Sequence, residues 1–503
     1  MKTIKEHIAK TFAKVIVYRT RKWSKNPIET QKKVFNKLIK KSVNTSFGKN
    51  HNFKTILTHQ DFIDNVPVRD YEGLKSYFDR VIKGEKNVLW PGKPLYFAKT
   101  SGTTSGVKYI PITKDSMPTH INGSRDAMLH YINETGKTDF LNKKVIFLQG
   151  SPVLEKTNGI NTGRLSGIVA HFTPFYLKKN VMPSWETNCI EEWEKKVEEI
   201  SNETIPEDMS IIGGIPPWVQ MYFEKVIELS GKKTIKDVFP HFNLFVYGGV
   251  NYEPYRQSLK NLIGKEIDSI EYYPASEGFF AYQDSQNEDG LLLQLNSGIF
   301  YEFIEIEEMT NETPKRVTIK DVIIGVNYVL IISTSAGLWG YNTGDTVSFV
   351  SLKPRKIIVT GRYKHFISAF GEHVIGSEVE KTLKHAIDKT KLTVKEFTVA
   401  PMISLKAGLS FHEWWIEFES LPNLKDTQEF AKNLELKLKE LNIYYKDLVT
   451  GNVLKPLQVV IVKKGGFKDY MKKEGKLGGQ NKLPRLSNDR KIVSAMKNLV
   501  WQG

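Results

Sequence analysis

Short apolar runs of strand length alternate with amphipathic helical segments before Gly361 of this chain. The runs VIFLQ, LFVYGG, FYEFIEI and VNYVLIIST are typical of buried strands. The segment PPWVQMYFEKVIELSG has the prolines that open a helix and the glycine, Gly231, that closes one. This alternation predicts an α/β domain, within which residues 25–90 and 114–205 are expected to be mostly helical.

After Arg362 the order of elements changes. A helix from Val374 to Ile387 is followed by the strands EFTVAPMI and EWWIEFES, a helix from Thr427 to Tyr444 and the strand PLQVVIVKK. A chain of 503 residues also exceeds the roughly 250–300 residues at which one core stops growing. We therefore expect an α/β fold with a large N-terminal domain, residues 1–361, and a smaller mobile C-terminal α+β domain, residues 362–503.

The chain is basic, with 72 Lys and Arg against 56 Asp and Glu, a formal net charge of +16. Such an excess attracts nucleic acid, a membrane surface or polyanionic small molecules. The basic residues are spread along the sequence, and no RNA-binding signature accompanies them. We expect a solvated surface with one focused anionic site and no nucleic-acid partner.

The N-terminal segment and the cysteine content bear on location. Ile4, Ile8, Phe12 and Val15 have the spacing of an amphipathic helix, which we expect to pack on the body of the protein. No apolar run is long enough to cross a bilayer, and Cys189 is the single cysteine. We expect a cytoplasmic protein without membrane insertion, and a monomer.

The run TSGTTSGVKYIPIT, from Thr100 to Thr113, is rich in hydroxyls and glycines. Glycine allows backbone N–H groups to face an anion, hydroxyls add donors, and Lys108 adds positive charge. The spacing is not that of a Walker A loop, because Gly102 and Gly106 enclose only three residues and Val107 precedes the lysine. The run is a candidate phosphate loop, and an ordinary polar turn is the alternative.

Three further motifs follow in order: YYPASEGFF (Tyr272 to Phe280), GLWGYNTGDTV (Gly337 to Val347) and VTGRYKHFISAFGEHVIGSEVE (Val359 to Glu380). With the hydroxyl-rich loop, this succession resembles the adenylate-forming enzyme superfamily. In detail it resembles one branch, the Gretchen Hagen family of acyl-acid amido synthetases. The resemblance runs from about residue 20 to the end of the chain, and four ordered motifs are more specific than any single one.

The resemblance implies a role for each residue of the first two motifs. Tyr273 would lie against adenine, with core packing as the alternative. Ser276 would contact the α-phosphate, and Glu277 would hold Mg²⁺, with a capping or surface carboxylate as its alternative. The phosphates would be held by Ser101, Gly102, Thr103 and Thr104.

The later motifs would complete the site. Asp345 matches the ribose-binding aspartate of the superfamily, and Arg362 would reach the ribose or the phosphates. Lys364 lies where the family hinges between its domains, although it fits a solvated charge equally well. Lys482, in the run GGQNKLPRLSND, matches the lysine that enters the site for adenylation, and a solvated basic stretch is its alternative.

The implied reaction uses ATP and Mg²⁺. A carboxylic acid is converted to its acyl adenylate, and the acyl group then passes to the amine of an amino acid. An acyl-CoA ligase is the alternative within enzymes, and a non-catalytic nucleotide-binding or polyanion-binding protein is the alternative outside them. The acid is not identified by the sequence. Arg164 is a candidate partner for its carboxylate, with a surface position as the alternative.

Overall fold

The computed structural model describes residues 4–101, 107–174, 177–249, 252, 255–363, 366–367, 372, 374–402, 410–450, 454–478, 481–487 and 489–501. Contacts within the chain divide it into two compact units. The first contains residues 1–250 and 266–359, and the second contains residues 251–265 and 360–503. The expected domain boundary after residue 361 stays a prediction.

The helices are α1 Ile4–Ser24, α2 Pro27–Ser42, α3 Ser46–Asn50, α4 His59–Asn65, α5 Lys75–Ile82, α6 Met117–Thr135, α7 Leu165–Ala170, α8 Trp185–Asn188, α9 Trp193–Thr204, α10 Pro216–Ser230, α11 Ile235–Val238, α12 Arg256–Ile263, α13 Gly376–Thr390, α14 Leu424–Leu441, α15 Ile443–Thr450, α16 Gly466–Lys473 and α17 Lys491–Ala495. Within the described ranges, none of the helices combines the length and the apolarity that crossing a bilayer requires.

The strands are β1 Tyr96–Ser101, β2 Val107–Ile112, β3 Lys144–Phe147, β4 Glu155–Thr157, β5 Ile160–Gly163, β6 Val181–Met182, β7 Met209–Gly214, β8 Leu244–Gly248, β9 Asp268–Ala275, β10 Gly278–Tyr282, β11 Leu291–Leu293, β12 Ile299–Glu305, β13 Val317–Thr318, β14 Asn327–Thr334, β15 Tyr341–Leu352, β16 Arg355–Arg362, β17 Phe366–Ile367, β18 Val374–Ile375, β19 Val394–Met402, β20 Phe411–Phe418 and β21 Gln458–Val462.

A long mixed sheet organises the first unit, in the order β13-β12-β14-β15-β16-β11-β10-β9-β8-β7-β3-β6. Strands β6, β3, β7, β8 and β9 are parallel, and β10 returns antiparallel to β9. A second sheet has the order β2-β1-β5-β4. The predicted α/β class of the large N-terminal part is confirmed, and the four runs assigned as strands form β3, β8, β12 and β14.

The expectation that residues 114–205 are mostly helical is wrong between Glu155 and Gly163. There β4 and β5 form an antiparallel hairpin in which Thr157 pairs with Ile160. The two turn residues, Asn158 and Gly159, have φ of 47° and 81°. Asn-Gly with both φ positive is the preferred two-residue hairpin turn, so the sequence carried a signal that helical periodicity concealed.

Helix α1 forms as expected, but the face assigned to the protein body is wrong. The side chains of Ile4, Ile8, Phe12 and Val15 are 81%, 63%, 42% and 41% exposed. The buried face is the opposite one, formed by Glu6, Ala13, Ile16, Val17 and Thr20. Small residues on that face allow α1 to pack closely on α6, and Ala13 and Ile16 share a core cluster with Ala127 of α6.

The second unit contains a three-stranded sheet, β19-β20-β21, with β19 antiparallel and β21 parallel to β20. Helices α13 and α14 cover it through buried side chains such as Leu383 and Leu434. The run FHEWWIEF alternates as a strand and forms β20, as the sequence predicts. The smaller C-terminal part therefore has the expected α+β composition.

Candidate active site

The turn between β9 and β10 presents the Ser-Glu pair of the second motif. Ala275 pairs with Gly278, so Ser276 and Glu277 are the two residues of a tight turn. Ser276 is buried, with 8% exposure, and Glu277 is half-buried. The turn follows the carboxyl end of β9, and ligands of open α/β sheets bind at the carboxyl ends of the strands.

Asp345 is positioned by a bulge in β15. Strand β14 advances two residues from Val329 to Ile331, whereas β15 uses four residues, from Asn342 to Thr346, over the same length. Gly344 takes a φ of 80° inside the bulge, and its N–H donates to Asn342 Oδ1 at 2.8 Å. The N–H of Asp345 donates to Thr343 Oγ1 at 3.1 Å. The local hydrogen bonds therefore fix the backbone from which the carboxylate projects.

The two motifs meet through tyrosine hydroxyls. Tyr273 Oη donates to Asp345 Oδ2 at 2.8 Å, and Tyr341 Oη donates to Glu277 Oε1 at 3.4 Å. The Tyr273 ring also packs edge-on against Phe280, with ring centroids 5.0 Å apart. The structure thus brings Tyr273, Ser276, Glu277 and Asp345 into one cluster, and it places Tyr273 largely in the core with 7% exposure.

Sheet curvature makes this meeting possible. Strands β16, β11 and β10 lie between β15 and β9 in the sheet. At about 4.8 Å per strand, a flat sheet would separate β15 from β9 by about 19 Å. The 2.8 Å contact between Tyr273 and Asp345 requires the sheet to curl until these strands approach.

Two neighbouring parallel strands end in glycine beside this turn. Gly214 ends β7 with a φ of 154°, and Gly248 ends β8. A Cβ on Gly248 would lie 2.5 Å from the carbonyl oxygen of Tyr272. Only glycine permits this close approach of β8 to β9. No role was predicted from the sequence for these two glycines. A pair of glycines directly after a strand-like run is the sequence pattern that could have indicated them.

The hydroxyl-rich run joins β1 to β2. Ser101 pairs with Val107 at the last described position of this hairpin. Gly102, Thr103 and Thr104 lie outside the described residues, as does the side chain of Ser101. Lys108 lies 5.6 Å from the ring centroid of Tyr71, in a cation–π contact.

The remaining predicted site residues belong to the second unit. Arg362 ends β16 with an exposed side chain, and Lys482 is exposed in a segment without regular secondary structure. Lys364 lies outside the described residues.

An arginine with 12% side-chain exposure anchors the segment that carries Lys482. The guanidinium of Arg485 lies 4.8 Å from the ring centroid of Phe397 and 5.2 Å from that of Tyr255, and it forms an ion pair with Glu396. The carbonyl of Arg485 accepts from Val399 N–H at 3.0 Å, so the segment runs along β19. The anchor holds the chain three residues after Lys482.

Arg164 and a lysine that sequence reasoning missed lie near the loop after β3. A Cβ on Gly150 would lie 2.9 Å from Arg164 Cδ, which places the arginine against this loop. Lys196 of α9 is 1% exposed, and its Nζ donates to the carbonyl of Asn188 at 2.5 Å. Burial, the largest influence, lowers the pKa of Lys196 to about 8, and the positive charge of Arg164 contributes. Arg164, the candidate partner of the acid, therefore has a second basic group near it.

The protein side chains near the β9–β10 turn suit a metal ion that is held mainly by the phosphates of a bound substrate. No group of three or more His, Cys, Asp or Glu side chains is assembled for a metal within the described residues. Mg²⁺ usually binds through one or two carboxylates together with substrate phosphates and water. Glu277, half-buried at the turn, fits that requirement.

Three family models match the chain along most of its length. The GH3 family N-terminal domain matches residues 17–190, the GH3 family central domain residues 292–362, and the GH3 family C-terminal domain residues 377–491. The chain belongs to the GH3 family. It is an adenylate-forming, acid–amino acid ligase that uses ATP, an acid and an amino acid.

Curated relatives share this family at low identity. The indole-3-acetic acid-amido synthetase GH3.15 of Arabidopsis thaliana is 23% identical over 528 residues, covering 88% of this chain and 87% of the relative. The jasmonoyl–L-amino acid synthetase JAR4 of Nicotiana attenuata is 20% identical over 416 residues, covering 69% and 71%.

Solved structures share the fold. The GH3.15 acyl acid amido synthetase in complex with 2,4-DB superposes with a TM-score of 0.79 at 18% identity, covering 98% of this chain and 97% of the other. A 2-hydroxyisobutyryl-CoA ligase in the postadenylation state superposes with a TM-score of 0.59 at 11% identity, covering 93% and 90%. The fold is therefore that of adenylate-forming enzymes, including both amide-forming and thioester-forming ones.

Proposed function

We propose that Tyr273, Ser276, Glu277 and Asp345 form the nucleotide end of the active site, where the acid is activated before amide formation. The observation that carries this proposal is the hydrogen bond from Tyr273 to Asp345 beside the Ser276–Glu277 turn. It joins residues of two different motifs that are 72 positions apart in the sequence. The location at the carboxyl ends of parallel strands is where such sheets bind ligands.

Activation solves a chemical problem. A carboxylate is a poor electrophile, and hydroxide is a poor leaving group. In the first half-reaction a carboxylate oxygen attacks the α-phosphorus of ATP and pyrophosphate leaves. In the second, the amine of the amino acid attacks the acyl carbon, AMP leaves with the bonding electrons, and the amine loses a proton. Positioning and charge neutralisation supply most of the catalysis in such transfers.

Each residue of the cluster has one task in this reaction. Asp345 accepts hydrogen bonds from the ribose hydroxyls. Tyr273 orients the Asp345 carboxylate by donating a hydrogen bond to its Oδ2 atom. The ring of Tyr273 also borders the adenine. Ser276 donates to the α-phosphate. Glu277, oriented by Tyr341, holds Mg²⁺, which when bound supplies positive charge to the phosphates.

The phosphate loop and the second unit complete the proposal. Ser101, Gly102, Thr103 and Thr104 hold the phosphates. Arg362, Lys364 and Lys482 act from a mobile C-terminal domain, residues 362–503, hinged after the large domain, residues 1–361. Lys482 acts in adenylation and withdraws for amide formation, as domain alternation requires.

The acid is proposed to enter near Arg164 and Lys196. Their positive charges attract a carboxylate, and Phe147, the last residue of β3, is 37% exposed. Relatives are named for indole-3-acetic acid and jasmonate, and an apolar carboxylic acid is the class that this chain is proposed to share. We further propose a cytoplasmic monomer.

Pyrophosphate exchange tests the proposal directly. Purified protein with Mg²⁺ and ATP is incubated with single acids from a panel of aromatic and aliphatic carboxylic acids. The right acid should drive labelled pyrophosphate into ATP without any amine, and each amino acid is then tested as acceptor beside coenzyme A. Thioester formation without amide formation would establish the CoA ligase instead. Release of only ADP and phosphate across the panel would contradict adenylation.

A further inference from the structure

One face of α1 forms an exposed apolar ridge. Ile4, Ile8, Phe12, Val15 and Tyr18 follow each other at helical spacing, and their side chains are 81%, 63%, 42%, 41% and 70% exposed. Isolated apolar residues on a surface need no explanation, but contiguous apolar patches mark interaction sites. This ridge extends over four turns of one helix.

The ridge is exposed because the opposite face of α1 is fixed to the protein. Glu6 is 6% exposed and accepts a hydrogen bond from Asn142 Nδ2 at 2.9 Å. Ala13 is fully buried, and Ile16 and Val17 are 6% and 5% exposed. These residues occupy the face of α1 that packs on the protein, so the apolar ridge lies on the outer face.

Basic side chains flank the ridge. Lys5, Lys14, Arg19 and Lys22 are exposed along it, and none forms an ion pair with a carboxylate among the residues that the structure describes. The one acidic residue of α1, Glu6, is on the buried face. The outer face of α1 thus carries positive charge on both sides of an apolar stripe.

A basic cleft continues this surface. It has a volume of about 410 Å³ and is lined by residues of α1, α2 and α6, among them Arg19, Lys37, Lys41 and Arg125. Lys41 pairs with Asp115 at 2.6 Å, and Arg125 pairs with Asp126 at 2.7 Å. The guanidinium of Arg125 also lies 5.8 Å from the ring centroid of Phe12 on the ridge. The cleft and the ridge are contiguous, and the lining cations outnumber the two carboxylates.

We propose that this face docks the protein reversibly on an anionic membrane surface. An interfacial helix lies in the plane of the membrane, with apolar side chains below the headgroups and basic side chains among the anionic lipids. The ridge supplies the first element, and Lys5, Lys14, Arg19 and Lys22 supply the second. The cleft offers phosphate-bearing headgroups a further basic contact.

Charge distinguishes this partner from a second copy of the chain. Pairing two α1 ridges would place lysines and arginines of both copies against each other, and like charges at close range repel. An anionic surface neutralises the same side chains. The geometry therefore favours lipid over self-association.

Vesicle flotation tests the proposal with the full-length protein. Vesicles of phosphatidylcholine alone are compared with vesicles that also contain phosphatidylserine, at low and high salt. Wild-type protein should float with the anionic vesicles only, and high salt should release it because counterions screen the basic residues.

Two sets of substitutions separate the two contributions. The triple variant I8Q/F12Q/V15Q removes apolar burial, and K5Q/K14Q/K22Q removes charge. Each should weaken partition into anionic vesicles by roughly a hundredfold. The matched control L424Q/L436Q changes leucines on α14 that are 75% and 56% exposed, and it should leave partition unchanged.

The outcomes are distinct. Because all substituted side chains are exposed, each variant should keep the wild-type melting temperature, and the charge variant provides a second test if the ridge variant fails to fold. Absence of flotation, equal flotation with both vesicle types, or flotation unaffected by either triple variant would overturn the proposal. A wild-type dimer that the ridge variant converts to monomer in ultracentrifugation would assign the ridge to self-association.

Discussion

The hydroxyl of Tyr273 donates to Asp345 Oδ2 at 2.8 Å, which joins the β9–β10 turn to the bulge of β15. The bond gives the tyrosine two tasks, since its ring packs in the core while its hydroxyl orients a carboxylate. It also provides a chemical handle for testing the candidate site.

Tyr273→Phe keeps the ring and removes the hydrogen bond. A hydrogen bond to a charged group contributes about 1.5–3 kcal/mol, so ATP affinity should fall by about tenfold or more. Isothermal titration calorimetry measures the change. Tyr328→Phe is the control, because Tyr328 is also buried but its hydroxyl accepts from Ile323 N–H instead. Equal affinities of wild type and Tyr273→Phe would show that this hydrogen bond does not support nucleotide binding.

Gly344→Ala tests the bulge. A φ of 80° is costly for a residue with a Cβ, by about 1–2 kcal/mol. The bulge should relax and move Asp345, so the KM for ATP should rise beyond what the loss of stability explains. Gly325→Ala is the matched control, since Gly325 has a φ of 83° and a Cβ added there would meet no other atom within 4 Å. If both variants change the KM alike, the bulge has no particular role in the site.

Lys482→Ala separates the two half-reactions. Formation of the acyl adenylate should slow by orders of magnitude because a positive charge is lost from the phosphates. Conversion of a separately synthesised acyl adenylate and amino acid to amide should change little. Rapid-quench measurement of each step distinguishes them. Lys476→Ala, another exposed lysine of the same region, is the control. Equal damage to both steps would exclude this role for Lys482.

His120 should make the stability of the first unit depend on pH. Burial lowers the pKa of this histidine from 6.5 to about 4 in the folded state. As the pH falls below 6.5, the unfolded chain binds a proton that the folded chain does not, so the free energy of unfolding decreases by up to about 3 kcal/mol before pH 4. Above pH 6.5 the contribution is constant.

The measurement is urea denaturation at a series of pH values. His120→Asn should flatten the decline between pH 6.5 and pH 4, whereas His7→Asn, at an exposed position, should not. A decline of unchanged steepness in His120→Asn would assign the acid sensitivity to other groups.

The sequence predicted the positions of helices and strands better than it predicted which face of a helix is buried. Apolar runs predicted the strands β8, β12, β14 and β20, because a strand buried in a sheet has a locally hydrophobic sequence. Helix α1 was predicted from its apolar stripe, yet the buried face is the one with Ala13 and Thr20. Periodicity identifies a stripe, but the fit of small residues against α6 decides which face is buried.

The candidate site shows the same limit. Order along the chain predicted Tyr273, Glu277 and Asp345 as site residues by resemblance. The hydrogen bond between Tyr273 and Asp345 depends on the curl of a sheet in which three strands separate them. The burial of Lys196 likewise depends on how α9 packs in the fold, which the local sequence around Lys196 does not indicate.

The segment 251–265 belongs to the second unit but is synthesised before the rest of that unit. Helix α12 belongs by its contacts to the second unit, where Tyr255 and Leu259 are buried and Tyr255 Oη donates to Glu396 at 3.1 Å. During synthesis this helix leaves the ribosome well before residues 360–503. Its apolar side chains therefore stay unpacked until the rest of the second unit has been synthesised. A fragment that begins at residue 360 would lack the helix altogether. The C-terminal unit is therefore expected to mature late, and to fold poorly when expressed without residues 251–265.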